Sequence, residues 1–103
     1  MVKLSVCVEM FWKSLPLAEK VKKVKELGFL AYEFWGWRNK NLNELIEVQK
    51  ETGLFLAAIC SEPNFALTAD GNEKQLVEGI LASAQTARKL GCPRLIVTTG
   101  NVV

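Results

Sequence analysis

The chain is 103 residues long, half of them apolar and 23% charged, with a net charge of +2. That limits it to one domain with little margin for a core, and the charge is too small to argue for a nucleic acid or an anionic membrane as partner. No apolar run reaches the ~18 residues of a spanning helix, and the N-terminus lacks the long apolar core of a signal peptide. Three cysteines are an odd number without a CxxC pair, and Cys7 and Cys60 lie inside apolar runs. Buried, reduced thiols in the cytoplasm are the expectation.

In chain order, "KLSVCVEM" reads as a first strand. Pro16 then suits the opening turn of a helix whose apolar stripe is Leu17, Val21, Val24 and Leu27. Lys20, Lys22, Lys23 and Lys25 take its solvated face. Gly28 closes the helix and "AYEFW" follows as a second strand, with Glu33 inside it. Asn41 and Glu44 have capping-box-like spacing at the start of a second helix, which carries Leu42, Leu45, Ile46 and Gln49 on one side. Gly53 ends it, and "LFLAAICS" is the third strand.

A long loop, "SEPNFALTADGNE", comes next, and long βα loops are where such folds place function. Asn72 or Asp70 can cap the third helix, with Leu76, Val77, Ile80, Leu81, Ala84, Ala87 and Leu90 as its expected apolar face. Gly79 inside it costs about 1 kcal/mol relative to alanine, which a helix of this length absorbs. Gly91 and Pro93 stop it, and "RLIVTTGN" is the fourth strand.

The punctuation repeats. Glu26-Leu27-Gly28, Glu51-Thr52-Gly53 and Lys89-Leu90-Gly91 each end an amphipathic segment and precede an apolar run. The strands are apolar at nearly every position, as strands covered on both faces are, which predicts a parallel sheet. Right-handed crossovers then make consecutive strands neighbours, in the order βαβαβαβ. Polar residues gather at the strands' C-terminal ends: Glu9, Glu33, Ser61, Glu62, Thr98, Thr99 and Asn101, with Trp12, Trp35 and Trp37 among them. A doubly wound nucleotide fold would favour a glycine-rich first loop, and "EMFWKSLPL" has no glycine. The reading is α/β: the first half of a (β/α)8 barrel, four parallel strands with three connecting helices. Met1 lies just before the first strand, so residues 1–103 are expected to be the N-terminal half of the domain, truncated after the fourth strand.

"KLSVCVEMFWKSLPLAEKVKKVKELGFLAYEFWGW" followed by "CPRLIVTTGN" resembles the start of the xylose isomerase-like TIM barrels, and within them the hydroxypyruvate isomerase group. The resemblance runs in order through the whole chain. Its most specific pieces are "EFW" with Glu33 and the pair Gly100-Asn101. Cys7 and Cys60 stand where that group often has asparagine. The resemblance implies isomerisation of a small sugar or keto acid by proton transfer between adjacent carbons. A divalent metal, Mg²⁺ or Mn²⁺, polarises the oxygens, and two carboxylates act as base and acid. In the family those metal ligands and carboxylates come from later strands. This half is therefore expected to bind no metal and to be inactive by itself, supplying the wall of the site. The chain has no histidine. DNA-repair endonucleases and xylose isomerases proper of the same superfamily take histidines from this half, so the hydroxypyruvate isomerase and ketose epimerase branches are favoured.

The candidate substrate-binding residues are Glu33, Trp35, Trp12, Glu62 and Asn101. Glu33, mid-strand among apolar neighbours, must either join an ion pair or face a polar cavity. Trp12 and Trp35 could floor a sugar pocket. Glu62 is a site residue or a solvated loop carboxylate, and Asn101 a site residue or a turn former. Glu9 is a weaker candidate. No Ser-His-Asp set is possible without histidine. A half-barrel also leaves two strand edges and an apolar inner face open. Closure by a second copy or by a complementing C-terminal half is expected, and a non-catalytic assembly module is the competing reading.

Overall fold

Seven segments of regular structure alternate as the glycine punctuation requires, in a computed structural model that describes residues 2–100. They are β1 (Ser5–Cys7), α1 (Leu17–Glu26), β2 (Ala31–Glu33), α2 (Leu42–Thr52), β3 (Phe55–Cys60), α3 (Glu73–Lys89) and β4 (Leu95–Ile96). The strands form one sheet in the order β1-β2-β3-β4, and every pair is parallel. This is the first half of a (β/α)8 barrel, with a helix crossing each seam between neighbouring strands.

Register decides which side chains meet the helices. Val6 lies beside Tyr32 and Tyr32 beside Leu56, while Ile59 lies beside Leu95. Tyr32, Phe34, Leu56 and Ile59 are buried on this side, against Val21 and Val24 of α1, Leu45 and Val48 of α2, and Ala87 with Leu90 at the end of α3. Each large apolar side chain removed from water there contributes roughly 1.5–3 kcal/mol before entropy is counted. One polar thread crosses the layer. The Tyr32 hydroxyl donates to Gln49 Oε1 at 2.6 Å, and Gln49 Nε2 donates to the Leu90 carbonyl at 3.1 Å. Strand β2, helix α2 and the end of α3 are thereby tied through one glutamine.

The other face is built differently. Ser5 and Cys7 stand beside Ala31 and Glu33, and Cys60 stands beside Ile96. Between Tyr32 and Glu33 the register to β3 shifts by one residue, so that Glu33 faces Ala58. Phe55 and Ile96 remain exposed. The expected apolar lining is thus interrupted by Ser5 and Glu33.

The helix ends follow the sequence closely. Asn41 Oδ1 accepts from the Glu44 N–H at 3.1 Å and caps α2. Gly53 takes φ 71°, a left-handed value that costs glycine nothing, and its N–H reaches Gln49 O at 2.8 Å. Pro16 is the cap residue of α1 rather than part of its first turn, and Asn72 starts α3 without a side-chain cap bond.

Four expectations are corrected. The first strand is short, because Val8–Met10 coil into a 3₁₀ turn, and regular pairing in the fourth ends at Ile96. Leu27 leaves the α1 stripe and is exposed, since it lies past the last helical residue. The inner face carries a carboxylate. The buried face of α3 is Gly79, Ser83, Thr86 and Ala87, while Val77 and Leu81 are 56% and 60% exposed. Gly79 explains that rotation. A Cβ there would lie 2.6 Å from Pro63 Cδ and 2.7 Å from the Glu62 carbonyl oxygen, so the long loop can pack against α3 only on a face with no side chain.

Candidate functional site

At the C-terminal ends of β2, β3 and β4 lies a groove of about 330 Å³, lined by Trp35, Gly36, Cys60, Ser61, Glu62, Asn64 and Thr98. In a barrel this end carries the chemistry. Strand β2 delivers Trp35, whose carbonyl accepts from Cys60 N–H at 2.9 Å, so two strand ends are locked together at the rim. The Trp35 side chain is 51% exposed, a large apolar surface facing open space. On the far side, Thr98 Oγ1 and Asn64 Oδ1 lie 2.8 Å apart. With the hydroxyl donating, the Asn64 amide keeps its N–H groups to serve as donors. Leu67 N–H reaches Thr99 O at 2.9 Å, which folds the long loop back over the end of β4.

Glu62 holds the groove's shape. Its Oε2 accepts from the backbone N–H groups of Trp37 at 3.0 Å and Arg38 at 2.7 Å, and the Arg38 side chain donates back to the Glu62 carbonyl at 3.2 Å. Gly36 leaves room for this, since a Cβ there would sit 2.5 Å from Glu62 Oε1. Below it, Ser83 is fully buried and uses its whole hydroxyl inventory. It accepts from Trp37 Nε1 at 2.8 Å and from Glu62 N–H at 2.9 Å, and donates to Glu62 O at 3.3 Å. Trp37, kept out of the candidate list, packs against the core, with Arg38 over its ring at 4.5 Å.

The sequence candidates divide. Trp35 and Glu62 share the groove. Glu33 lies on the same face but lower. It accepts from Ser5 Oγ at 3.0 Å, has no ion-pair partner among the described residues, and lines the barrel-interior hollow with Phe55 and Arg94. Of the two alternatives left open for it, the cavity-facing one fits the geometry. Trp12 lies elsewhere, in an apolar groove beside β1, next to Phe11 at a ring-centroid distance of 5.7 Å. Glu9 pairs with Lys40 at 3.1 Å. Asn101 lies outside the described residues. Sequence reasoning missed Ser83, Gly36 and Asn64. The one usable signal was Gly79 and Ser83, two small residues one turn apart on α3.

Two thiols reach the inner face. Burial pushes Cys60 above its ordinary value of 9.0, with Cys7 and the carboxylates Glu33 and Glu62 adding to the rise. Burial likewise raises Cys7, opposed by a backbone hydrogen bond and assisted by Glu33. Both are protonated thiols at neutral pH and poor nucleophiles. The described residues do not assemble a ligand set for a divalent ion: no group of three or more Cys, Asp and Glu side chains converges. The Glu62 carboxylate is turned to the backbone N–H groups of Trp37 and Arg38.

A parallel half-barrel with a polar and aromatic groove at its C-terminal rim defines the structural class. Among known proteins, the chain is 29% identical over 112 aligned positions to a Danio rerio protein described as "Putative hydroxypyruvate isomerase", covering 99% of this chain and 41% of the relative. A solved structure described as an AP endonuclease, family 2, from Brucella melitensis superposes with a TM-score of 0.87 at 18% identity, over 97% of this chain and 42% of that one. A Sinorhizobium meliloti protein superposes with a TM-score of 0.77 at 20% identity, over 96% and 37%. No family model matches. The chain therefore spans about two fifths of the length of these relatives. The resemblance to the N-terminal half of the xylose isomerase-like TIM barrels stands at the level of the superfamily. The two structural likenesses, at such low identity, carry the fold alone.

No helix among the described residues is long and apolar enough to cross a membrane.

Proposed function

We propose that this chain is the substrate-binding wall of a hydroxypyruvate isomerase-like enzyme, acting on a small sugar or keto acid and inactive until the second half of the barrel is present. The observation that carries the reading is the rim groove: Trp35 offers an apolar floor, and Ser61 and Asn64 after β3 and Thr98 after β4 offer hydrogen-bonding groups. A small substrate carrying hydroxyl and carbonyl oxygens suits such a mixture. The similarity of nearly all of this chain to 41% of the Danio rerio protein supports the choice of chemistry. In this reading Glu62 and Ser83 hold the groove, Trp35 and Asn64 orient the substrate, and Glu33 gives the interior a polar floor. The divalent metal, Mg²⁺ or Mn²⁺, and the proton-transfer carboxylates belong to the completing half. Three unpaired thiols suit the reducing cytoplasm.

The test is an isomerase assay following hydroxypyruvate and tartronate semialdehyde with Mg²⁺ or Mn²⁺. The expected result is no turnover by the chain alone, and turnover when a completing half-barrel is supplied, with Trp35→Ala raising KM. Turnover by the isolated chain, abolished by Glu33→Gln, would overturn the division of labour. No turnover in any closed barrel would overturn the isomerase reading.

A further inference from the structure

We propose that the long loop after β3 is a fixed wall of the rim groove and not a lid, and that Gly100 is the positioning residue that holds its Asn64 in place. The proposal rests on the rim groove as the binding site, but not on the isomerase chemistry. Long βα loops commonly close over a site as lids. This one is held at three points by three different elements. At its start, the Glu62 carboxylate is bonded to the amides of Trp37 and Arg38. Next, Pro63 and the Glu62 carbonyl lie against Gly79 of α3. The third point follows β4, where Leu67 N–H donates to Thr99 O at 2.9 Å and Thr98 Oγ1 meets Asn64 Oδ1 at 2.8 Å. Gly100 completes it. A Cβ there would lie 2.6 Å from both the Ala66 Cα and the Phe65 carbonyl oxygen, and 2.7 Å from the Ala66 nitrogen.

The contact at Gly100 differs in kind from the one at Gly36. There the neighbour is the end of a side chain, Glu62 Oε1, which can turn aside. At Gly100 all three neighbours belong to the loop backbone, so an added methyl group is admitted only by moving the loop. Gly100 also takes φ 79°, a value that glycine adopts without cost and other residues rarely do. The consequence falls on Asn64. Its backbone is fixed on one side by Pro63 against Gly79 and on the other by Phe65 and Ala66 against Gly100. Its side-chain oxygen is taken by Thr98. The Asn64 N–H groups are left as donors for a carbonyl or hydroxyl oxygen of a ligand lying in the groove that Asn64 shares with Trp35. Gly100, singled out in the sequence with Asn101, thus shapes the groove without lining it.

The experiment sets Gly100→Ala beside Gly71→Ala in the full chain. Gly71 lies in the same loop at φ 86°, and a Cβ on it would meet nothing within 4 Å. Both variants carry the backbone strain, and only the first carries the contact. The readouts are amide exchange at Leu67 and the NMR signals of the Asn64 side-chain amide, with the Leu56 and Ile59 amides reporting that the core is intact. Gly100→Ala should speed Leu67 exchange about ten-fold or more relative to Ile59 and shift the Asn64 signals, and Gly71→Ala should do neither. Thr98→Val adds no backbone strain and should also shift the Asn64 signals, which decides the matter if Gly100→Ala does not fold. In the isomerase assay above, Gly100→Ala and Asn64→Ala should each raise KM several-fold with little change in kcat. The double variant should do no more than the worse single one, because Gly100 acts through Asn64. Equal behaviour of Gly100→Ala and Gly71→Ala, an undisturbed Leu67 amide in Gly100→Ala, Asn64 signals unmoved by Thr98→Val, or additive KM effects would each overturn the proposal. The exchange and NMR readouts need no turnover. A docked loop that responds as stated, in a protein without isomerase activity, would sink the isomerase reading and leave this one standing.

Discussion

The two faces of one four-stranded sheet follow opposite rules. Toward the helices, Tyr32, Phe34, Leu56 and Ile59 are buried in a continuous apolar layer, and the one polar thread through it, from Tyr32 by way of Gln49 to Leu90, is satisfied at both ends. Toward the barrel interior, Ser5, Glu33, Phe55 and Ile96 line an open surface where polar and exposed apolar groups alternate. The lesson is that the helix side is a finished core and the interior is half of one. Substitutions should therefore cost much on one face and little on the other.

The largest effect expected is Leu56→Ala on the finished side. It removes a buried side chain from the centre of the layer and should cost about 2–5 kcal/mol by urea unfolding. A cost near that of an interior-face change would erase the comparison. Ser83→Ala comes next. It removes the partner of the Trp37 indole N–H and of the Glu62 backbone N–H, while the Glu62 carbonyl keeps the Arg38 side chain, and should cost about 1–3 kcal/mol. Trp37 fluorescence should shift with it, which a mere volume change would not produce. Gly79→Ala should destabilise by about 1–3 kcal/mol through overpacking against Pro63 and the Glu62 carbonyl, although alanine is the better helix former by about 1 kcal/mol. A stabilised Gly79→Ala protein would contradict the close approach.

On the interior face, Glu33→Gln should change stability by less than ~1 kcal/mol, since the carboxylate meets a serine and open space. A loss of ~3–5 kcal/mol would instead mark a broken buried ion pair. The smallest effect is a pH dependence. Burial raises Tyr32 and all three cysteines, so the folded chain keeps protons that the unfolded chain gives up. Stability from these groups is full below the ordinary thiol value of 9.0 and is lost as pH rises through it toward the raised folded values. Urea midpoints between pH 8 and 10.5 should fall with increasing pH, and a rise would reverse the sign of this account.

Much of the finished side was legible in the sequence. The glycines at 28, 53 and 91, the Asn41 cap and the stripe of Val21 and Val24 are local signals, and local signals set helix ends and faces. What was hidden depended on a neighbour brought in from elsewhere in the chain. The buried face of α3 could not be read from hydropathy, because Gly79 and Ser83 are chosen by a loop lying against them, while Val77 and Leu81 look like core without being covered here. The same holds at the groove. Trp35 and Glu62 were identified from their places at strand ends, but Glu62's attachment to the amides of Trp37 and Arg38 is a tertiary fact. Trp12 was grouped with Trp35 by type, and the short first strand with its 3₁₀ turn places it in a separate groove beside the β1 edge.

The most direct test of a sheet finished on one side and open at both edges is amide hydrogen exchange on the chain alone, read residue by residue. Amides of β3, paired to strands on both sides, should exchange slowest, with those of Leu56 and Ile59 near the global unfolding limit. The edge strands Ser5–Cys7 and Leu95–Ile96 should exchange at least ten-fold faster, and should gain protection when a completing half-barrel is added. Protection of β1 and β4 equal to that of β3 in the isolated chain would contradict the account, because it would mean that the edges are already paired.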